Sequence, residues 1–415
     1  MTSQKTYIVG AGLAGLAAAV ALAKKGHRVE LFEAAPQAGG RCRSWFDAQF
    51  GDVIDNGNHL LLTGNWATYD YLGTIGAEDR LKGPSEARFA FFDARDEKRW
   101  TIAPNQSRLP WWVLSPTRRL PETSARDYLR FAPLLRRNPG KRVRDVIACS
   151  GPLWERLLRP FLLAALNTVP EEAAAELASA VVRETLARGG RYCLPRIATP
   201  NLAAAFVEPA VSYLALSGAK LRSGERLRAI AFEGRGVAAL DFGGYHVALI
   251  PGEKVILAVP SWITGALVPG ISTPDHNSAI VNAHYRATAS AGAPAMLGII
   301  GGMAEWVFAF PDRLSVTVSG ADAIVDRDRE ELATLLWRDV AAAHGLSSNL
   351  PTWQIVKEKR ATFRATPEQN AMRPSTRTRW TNLFLAGDWT ATGLPATIEG
   401  AIRSGQKAAV LAASR

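Results

Sequence analysis

The sequence predicts an α/β fold in two domains, one built on a parallel sheet and one formed by two long insertions. Three observations lead to this prediction. Near the start, a short apolar strand runs through a glycine-rich turn into a helix, and a second apolar strand ending in a carboxylate follows. Near the end, another apolar strand ends in Gly-Asp and leads into a helix of small residues. The intervening segments of this 415-residue chain are long enough to build a second domain.

The first element is the segment "YIVGAGLAGLAAAVALAKKGHRVELFE", in which a strand, a glycine turn, a helix and a second strand follow in order. Its glycines permit a tight turn, close backbone approach to a pyrophosphate and close packing of the helix on the strand. An acidic residue about 20 positions later accepts hydrogen bonds from a ribose. The pattern predicts a dinucleotide site at Gly10, Gly12, Leu13, Ala14, Gly15 and Glu33.

The last element is "LFLAGDWTATGLPATIEGAIRSGQKAA", residues 383–409. Leu383 to Ala386 are apolar, as in a fully buried strand, and Pro395 occupies a plausible first turn of the helix that follows. The first N–H groups of a helix have no partner within it, so this helix start is a site for an anion or a polar ring edge.

Further residues extend the glycine motif in a recognisable way. Gly39, Gly40 and Arg41 follow the acidic strand end, and "DVIDNGNHLLL" follows them. This arrangement resembles the extended FAD motif of the glutathione-reductase-like flavoproteins in the amine oxidase and phytoene desaturase superfamily. The resemblance implies a Rossmann domain that binds FAD.

The same resemblance implies roles for individual residues. Arg41 would lie beside the pyrophosphate, and Gly387 and Asp388 would reach the phosphate and the ribityl chain. Backbone contacts to the adenine would fall at Leu227. The segment Pro395, Ala396, Thr397 and Ile398 would present N–H groups to the pyrimidine edge of the flavin, whose reduced form is negatively charged. The other implied flavin contacts are Gly39, Gly40, Gly57 and Asn58.

Composition excludes several classes of site. The three cysteines, Cys42, Cys149 and Cys193, are far apart and form no CxxC pair, which argues against a metal centre and a redox-active disulfide and favours a reducing compartment. The apolar run Leu13 to Ala23 is too short to span a bilayer. We expect a cytoplasmic protein, soluble or peripheral to the inner face of the membrane.

The positive charge is concentrated in one window. Residues 95–144 contain thirteen Lys or Arg and four Asp or Glu, a net +9 of the chain's +11, together with several Trp and Leu. Basic residues interleaved with aromatic ones suit an anionic membrane surface. No nucleic-acid-binding signature accompanies them, so nucleic acid is not an expected partner. A solvated basic face over a helical subdomain is the alternative interpretation.

The FAD domain is predicted to comprise residues 1–90, 200–270 and 365–415. The insertions 91–199 and 271–364 would form an α+β domain that faces the substrate and the membrane. The first insertion is helical by its pattern, and the second alternates strands with one helix, Arg327 to His344. Within the FAD domain, "KLRSGERLRAIAFEG" has the pattern of two paired strands.

Three longer motifs give a closer resemblance: "RPFLLAALNTVPEEAAA", "EKRATFRATPEQ" and "NLFLAGDWTATGLPATIEGAIRSG". They are similar to those of the hydroxysqualene dehydroxylase family, the squalene-associated FAD enzymes of bacterial hopanoid synthesis. The resemblance covers nearly the whole chain. It implies a C30 isoprenoid substrate and a reaction in which hydroxysqualene and reduced flavin give squalene, water and oxidised flavin. No second GxGxxG follows a strand, so an external electron donor is expected.

A proton donor is needed for the departing hydroxyl. His59, which follows the Asp-x-Gly turn expected beside the flavin, is the first candidate, and Asp55 and Glu399 come after it. A packing role for His59, a turn role for Asp55 and a helix-start role for Glu399 are the simpler alternatives. Lys357 and Lys359 are expected to point to solvent.

Two other functions remain open at this stage. A phytoene-type desaturase would transfer hydride from a similar polyene to the flavin. A non-catalytic prenyl-lipid carrier shares the fold without a flavin, but Glu33, Arg41 and Asp388 argue against it.

Overall fold

A five-stranded parallel sheet and a seven-stranded mixed sheet organise the protein in the computed structural model, which describes residues 5–414. Residues 1–4 and 415, which the predicted domain ranges include, lie outside the described residues. The helices are α1 Leu13–Ala23, α2 Trp66–Ile75, α3 Ala125–Leu129, α4 Arg159–Leu166, α5 Ala175–Glu184, α6 Glu208–Leu216, α7 Ser261–Leu267, α8 Arg329–His344, α9 Pro367–Ala371 and α10 Ile398–Ala413.

The strands are short except in the second sheet, where β15 and β19 have nine and eleven residues. They are β1 Lys5–Val9, β2 Arg28–Glu33, β3 Ser44–Asp47, β4 Asp52–Asp55, β5 Leu61–Leu62, β6 Leu81–Lys82, β7 Phe89–Asp93, β8 Arg99–Ile102, β9 Pro195–Ala198, β10 Lys220–Ser223, β11 Ala229–Glu233, β12 Gly236–Asp241, β13 His246–Ala248, β14 Lys254–Leu257, β15 Asn277–Tyr285, β16 Met296–Ile300, β17 Trp306–Ala309, β18 Leu314–Val318, β19 Trp353–Phe363 and β20 Leu383–Leu385.

The parallel sheet has the order β10-β2-β1-β14-β20. Residues 255–257 of β14 and all of β20 are apolar and buried because both faces of the sheet are covered there. The registers Val9↔Phe32, Val9↔Leu257 and Leu257↔Leu385 align the carboxyl ends of four strands along one edge. In sheets of this type the ligand binds beyond that edge.

Helices α1 and α10 pack against each other on one face of this sheet. They approach closely because Gly405 has no side chain: a Cβ there would lie 2.1 Å from the carbonyl oxygen of Ala14. Both helices begin just after strands of the sheet, α1 after β1 and α10 after β20. Their N-termini therefore lie on the side of the sheet where a ligand is expected.

The seven-stranded sheet has the order β19-β15-β18-β17-β16-β7-β8. One face packs on α8, joining Val281 and Val316 to Leu332 and Leu336 in a single buried cluster. Since strand side chains alternate, the neighbouring residues of β15, such as Asn282, project from the opposite face. That opposite face also carries the aromatic residues Phe91 and Trp306, which belong to a separate cluster.

Three details of the predicted elements are wrong. Strands β10 and β11 do not pair with each other, because β10 adds to the edge of the parallel sheet beside β2 while β11 pairs with β12. Pro395 is not in the first turn of the last helix, which begins at Ile398 with Thr397 as its N-cap. The helix predicted to start at Arg327 begins at Arg329, since the Asp328 side chain caps it.

The strands of the two large sheets come from different parts of the chain. The parallel sheet uses residues 5–33, 220–223, 254–257 and 383–385, and the mixed sheet uses 89–102, 277–318 and 353–363. Strand β7 begins at Phe89, just inside the range assigned to the FAD domain. The division into domains stays a prediction.

Candidate active site

Two glycines in the turn after β1 are required by the protein itself. Gly10 has a φ of +102°, and a Cβ there would lie 2.5 Å from the carbonyl oxygen of Ala258. A Cβ on Gly15 would lie 1.8 Å from the carbonyl oxygen of Gly10, so α1 rests directly on the turn. Packing within the protein therefore excludes a side chain at both positions.

Gly12 differs because its surroundings in the protein do not require a glycine. Its φ is −71°, and the nearest atom to an added Cβ is the Cα of Gly40, at 4.0 Å. The backbone at the start of α1 is left open, and the first N–H groups of a helix have no partner within it. This open cradle fits the pyrophosphate of a dinucleotide.

A second glycine pair lies against the first turn. Gly39 and Gly40 have φ values of +117° and +57°, and the Gly39 N–H donates to the Ala11 carbonyl at 2.8 Å. The loop is close to the turn, because a Cβ on Gly40 would lie 3.2 Å from the Cα of Gly12. This contact brings the following residue, Arg41, to the same edge of the sheet.

The Glu33 carboxylate, at the end of β2, is held beside the turn. Its Oε2 accepts from the Ala11 N–H at 2.8 Å and its Oε1 accepts from the Ala35 N–H at 2.8 Å. Each carboxylate oxygen has a further lone pair, which suits the hydroxyls of a ribose.

Arg41 and Asp388 form an ion pair that joins the two ends of the chain. The Arg41 Nη2 donates to both carboxylate oxygens of Asp388, at 2.8 and 2.7 Å, and Nη1 donates to the Ala361 carbonyl. Burial disfavours the charge on Arg41, but the Asp388 carboxylate outweighs it and raises the pKa of the guanidinium above its usual range. Both residues predicted to reach the phosphates therefore meet in one place.

The loop after β20 carries the second half of the site. Gly387 has a φ of +148°, and its N–H donates to the Ser404 hydroxyl at 2.8 Å. The Thr397 hydroxyl accepts from the Gly400 N–H at 3.0 Å and caps α10. The first backbone hydrogen bond of α10 is donated by the Ala401 N–H to the Thr397 carbonyl. The N–H groups of the residues before Ala401 therefore have no backbone partner within the helix.

Leu227 lies close to the end of β2, which carries Glu33. Two residues before it, the Glu225 N–H donates to the Glu33 carbonyl at 2.8 Å. The Leu227 side chain is buried in the cluster on one face of the parallel sheet. Its predicted backbone contact with adenine stays a prediction.

His59 and Asn58 lie on a loop beneath the seven-stranded sheet. The Asn58 amide donates to the Thr317 hydroxyl at 3.2 Å, and a Cβ on Gly57 would lie 2.7 Å from the Asn282 amide nitrogen. The His59 Nδ1 lies 3.1 Å from the Gly57 carbonyl. Since a carbonyl only accepts, the proton is on Nδ1 and Nε2 has a free lone pair in the neutral ring. Burial lowers the pKa of His59 below its usual range.

The carboxylates of Asp55 and Glu399 both bond backbone groups. Asp55 Oδ1 accepts from the Ser44 hydroxyl at 2.5 Å and the Leu202 N–H at 2.9 Å, while burial raises the pKa of Asp55. Glu399 accepts from the Ala67 and Thr68 N–H groups at the start of α2, at 3.1 and 2.9 Å, and from Arg403. This geometry favours a structural role for Glu399 and leaves His59 as the more available of the predicted donors.

Two functional candidates escaped the sequence analysis. Glu305 precedes β17, and its Oε2 accepts from the Ser319 N–H at 2.7 Å. Burial raises the pKa of Glu305 to about 7, so this carboxyl holds a proton over part of the neutral range. Arg373 is 7% exposed and bonds the loop after β20. A buried ionisable residue is a recognised signal of function, but burial depends on the tertiary structure.

The predicted solvent-facing lysines lie on β19. Lys359 is exposed and pairs with Asp326 at 2.6 Å, and Lys357 donates to the Arg327 carbonyl. Neither contact involves the glycine turns or the loop after β20.

An apolar cavity lies on the aromatic face of the seven-stranded sheet, under α4. Its lining contains no charged side chain: Leu62, Phe89, Phe91, Ile102, Pro104, Trp112, Leu157, Leu158, Phe161, Leu186, Cys193 and Trp306. The cavity volume is only about 30 Å³, so it holds no hydrocarbon chain as it stands, but its apolar lining is of the kind that contacts hydrocarbon. Glu305 precedes the lining residue Trp306 in the chain but is not itself part of the lining.

The described residues contain neither a candidate metal site nor a helix that could span a membrane. Across residues 5–414, no group of three His, Cys, Asp or Glu side chains could hold a metal ion. Within that described part of the chain, each helix is too short or too polar to cross a bilayer.

The family profile of the flavin-containing amine oxidoreductases matches residues 13–413. The chain is also similar to the cyclohexylamine oxidase of Brevibacterium oxydans, at a TM-score of 0.72 and 17% identity over 99% of both chains. At that identity the likeness concerns the fold alone, and it confirms the predicted α/β fold.

Curated relatives are more similar in sequence. The hydroxysqualene dehydroxylase of Rhodopseudomonas palustris is 53% identical over 100% of both chains. That of Zymomonas mobilis is 49% identical over 99% of both chains. A probable zeta-carotene desaturase of Synechococcus elongatus is 24% identical over 98% of both chains. The chain therefore shares about twice as many identical positions with the dehydroxylases as with this desaturase.

Proposed function

The chain belongs to the flavin-containing amine oxidoreductases and, within them, to the hydroxysqualene dehydroxylase family, and from this premise we propose that it converts hydroxysqualene to squalene. Its proposed cofactor is FAD. The reaction removes the hydroxyl as water and replaces it by a hydride, a step in squalene and hopanoid biosynthesis. The phytoene-type desaturase is disfavoured because the matching desaturases are only about half as similar.

One observation carries the proposal: full-length identity near 50% coincides with an open dinucleotide cradle and an apolar cavity in the same chain. The cradle accounts for a dinucleotide, and the cavity lining accounts for contacts with a hydrocarbon. A prenyl-lipid carrier would use only the cavity, and the glycine at position 12 and the Arg41–Asp388 pair would have no ligand.

Residues from the first and last parts of the chain would hold FAD. Glu33 would accept from the adenosine ribose, the open backbone at Gly12 would meet the pyrophosphate, and Arg41 would neutralise it. Asp388 would accept from the ribityl chain, and the N–H groups before α10 would face the pyrimidine ring. When bound and reduced, FAD supplies a hydride.

The proton for the departing hydroxyl needs a donor within the protein. His59, the predicted donor, has its Nδ1 proton directed at the Gly57 carbonyl, so Nε2 must first be protonated. Its lowered pKa places that protonation on the acidic side of neutrality. Glu305, whose pKa is about 7, holds a proton nearer to neutral pH and is the second candidate.

The apolar lining of the cavity would contact part of the C30 substrate and exclude water. Exclusion matters because water competes with hydride for a carbon that is losing its hydroxyl. No second dinucleotide motif follows a strand, so the electrons would come from an external donor.

The membrane is the proposed source of the substrate. Around the 3₁₀ turn Trp111–Leu114, Leu109, Trp111, Leu114 and Leu129 are 78%, 49%, 68% and 70% exposed. They are interleaved with exposed arginines such as Arg108 and Arg130. Buried Trp112 lines the cavity directly behind exposed Trp111. We propose that this surface, part of residues 95–144, binds anionic lipid at the cytoplasmic face of the membrane.

Product analysis tests the function. The protein is loaded with FAD, reduced anaerobically and mixed with hydroxysqualene, and the lipids are then extracted. We expect squalene and oxidised flavin in equal amounts. Reduction of oxidised flavin by squalene, or by phytoene, would instead support a desaturase.

A further inference from the structure

Arg373 is a buried arginine that lies between α9 and β20 in the chain, and the residue is only 7% exposed. Nη2 donates to three acceptors on one loop: the carbonyls of Asp388 and Thr390, at 2.9 and 2.5 Å, and the Thr392 hydroxyl, at 2.8 Å. Three residues of this loop are therefore bonded to a single nitrogen. It is the loop that begins with the Gly-Asp pair at the cofactor site.

The same guanidinium connects this loop to a motif that the proposed function leaves unexplained. It lies over the ring of Phe363, 4.7 Å from the centroid, and Nη1 donates to the Asn370 amide oxygen at 3.0 Å. Phe363 and Asn370 flank the segment "RATPEQ". Arg373 thus gives a physical reason why the "KRATF" and "GDWT" motifs occur together in one chain.

The charge of Arg373 has carboxylates near it, but none that it bonds directly. Burial lowers its pKa to about 10, against the effect of Asp388 and Glu176, and it stays protonated at neutral pH. Among the described residues, no carboxylate accepts from it, and its Nε is buried without a hydrogen-bond partner. The Asp388 carboxylate is bonded by Arg41. Burial of a cation that bonds no carboxylate is unfavourable, so packing alone does not account for it.

An anionic ligand beside the loop would offset that cost. Arg41 and Arg373 both bond Asp388, and the Glu176 carboxylate also lies near Arg373. The reduced form of a flavin carries one more negative charge than the oxidised form, and charges interact strongly in a water-poor interior.

We propose that Arg373 is a positioning residue that fixes the 387–392 loop against the flavin and whose buried charge stabilises the flavin in its reduced state. This inference rests on the proposed cofactor and is independent of the proposed substrate. Because this charge would favour the reduced form, it would raise the midpoint potential of the bound flavin and so favour its reduction by the external electron donor.

The test compares Arg373→Gln and Arg373→Lys with a matched control, Arg313→Gln. Arg313 is also 7% exposed and also has a buried Nε without a partner in the described chain, but its guanidinium bonds the Pro200 carbonyl instead of the loop. Thermal unfolding of the apoprotein measures folding. The dissociation constant of oxidised FAD and the midpoint potential of the bound flavin are measured without any lipid.

For Arg373→Gln we expect reduced FAD to lose about tenfold more affinity than oxidised FAD, which lowers a two-electron midpoint potential by about 30 mV. Arg373→Lys keeps the charge but not the fork of donors, so its potential should stay near that of the wild type while oxidised FAD binds at least fivefold more weakly. Arg313→Gln should leave both quantities within twofold.

Equal binding of both redox forms by Arg373→Gln and the wild type would overturn the inference, as would matching losses in Arg373→Gln and Arg313→Gln. If Arg373→Gln does not fold, Arg373→Lys decides: unchanged FAD affinity would refute the positioning role. Failure of the wild type to convert hydroxysqualene would leave these measurements intact and would count against the substrate only.

Discussion

The cofactor edge of the parallel sheet and the apolar cavity of the seven-stranded sheet are built by different means. The cofactor edge depends on backbone conformation, with positive φ angles at Gly10, Gly39 and Gly387, and on carboxylates that bond N–H groups. The cavity depends on side chains from seven separated segments between Leu62 and Trp306. A site made of backbone tolerates little change at a few positions, whereas a site made of packed side chains spreads its requirements over many.

The largest effect should separate two glycines of one motif. In Gly15→Ala the new Cβ would lie 1.8 Å from the Gly10 carbonyl, so we expect the apoprotein to lose on the order of 3 kcal/mol of unfolding free energy. In Gly12→Ala no protein atom lies nearer than 4.0 Å to the Cβ, so stability should not change while FAD affinity falls at least tenfold. Denaturant unfolding and FAD titration measure the two quantities. Equal destabilisation by both variants would contradict the open cradle.

The proton donor gives the next largest effect. Replacing the true donor, by His59→Ala or by Glu305→Gln, should slow dehydroxylation by about 10²-fold while FAD stays bound. The pH profile identifies it, because a donor acts only when protonated. Dependence on Glu305 would make the rate fall as pH rises through about 7, and dependence on His59 would place the fall below pH 6.5.

Rapid mixing of reduced protein with hydroxysqualene at several pH values measures this dependence. Full activity of both variants would exclude both residues and leave Asp55 or a bound water as the donor.

A smaller effect is expected from the acidic ligands of the cofactor edge. Glu33→Ala and Asp388→Ala each remove a charged acceptor, and bonds of this kind contribute about 1.5–3 kcal/mol. FAD affinity should therefore fall by a factor of about 10 to 100 in each variant. Lys359→Ala, which breaks an exposed pair far from the glycine turns, is the control. Wild-type titration curves for both acidic variants would remove the proposed FAD contacts.

The smallest effect per residue concerns the membrane surface. Leu109, Trp111, Arg108 and Arg130 are exposed, whereas Arg119 bonds the carbonyls of Val113, Leu114 and Thr123 and is better left in place. Arg108→Gln and Arg130→Gln should each weaken binding to anionic vesicles by about 1 kcal/mol at low salt. Trp111→Ala should weaken it at both low and high salt. Unchanged co-sedimentation of all three variants would favour the solvated basic face.

The contrast between a site made of local backbone and one made of distant side chains also explains which features the sequence predicts. The turn after β1, the buried strand β20 and the α/β fold follow from glycine spacing and apolar runs, which are local signals. The pairing of β10 with β2 does not, because β11 follows so closely that a hairpin is the simpler local solution. The start of α10 at Ile398 depends on which residue, Thr397 or Pro395, provides the cap.

The residues that the sequence does not identify share a physical feature. Arg373 and Glu305 owe their perturbed pKa values to burial by segments that are distant in the chain. Neither lies in a short motif with a fixed spacing. Asp55 and Glu399 have the residue type and location of an acid, but their oxygens already bond N–H groups from Leu202 and from α2.

The central claim is that the cofactor edge donates hydride into the apolar cavity, and isotope transfer tests it most directly. Protein-bound FAD is reduced with deuterium under conditions where exchange with water is slower than turnover, and is then mixed anaerobically with hydroxysqualene. Mass spectrometry of the extracted squalene should show one deuterium, on the carbon that carried the hydroxyl. Squalene without deuterium, under verified slow exchange, would contradict direct transfer between the two regions.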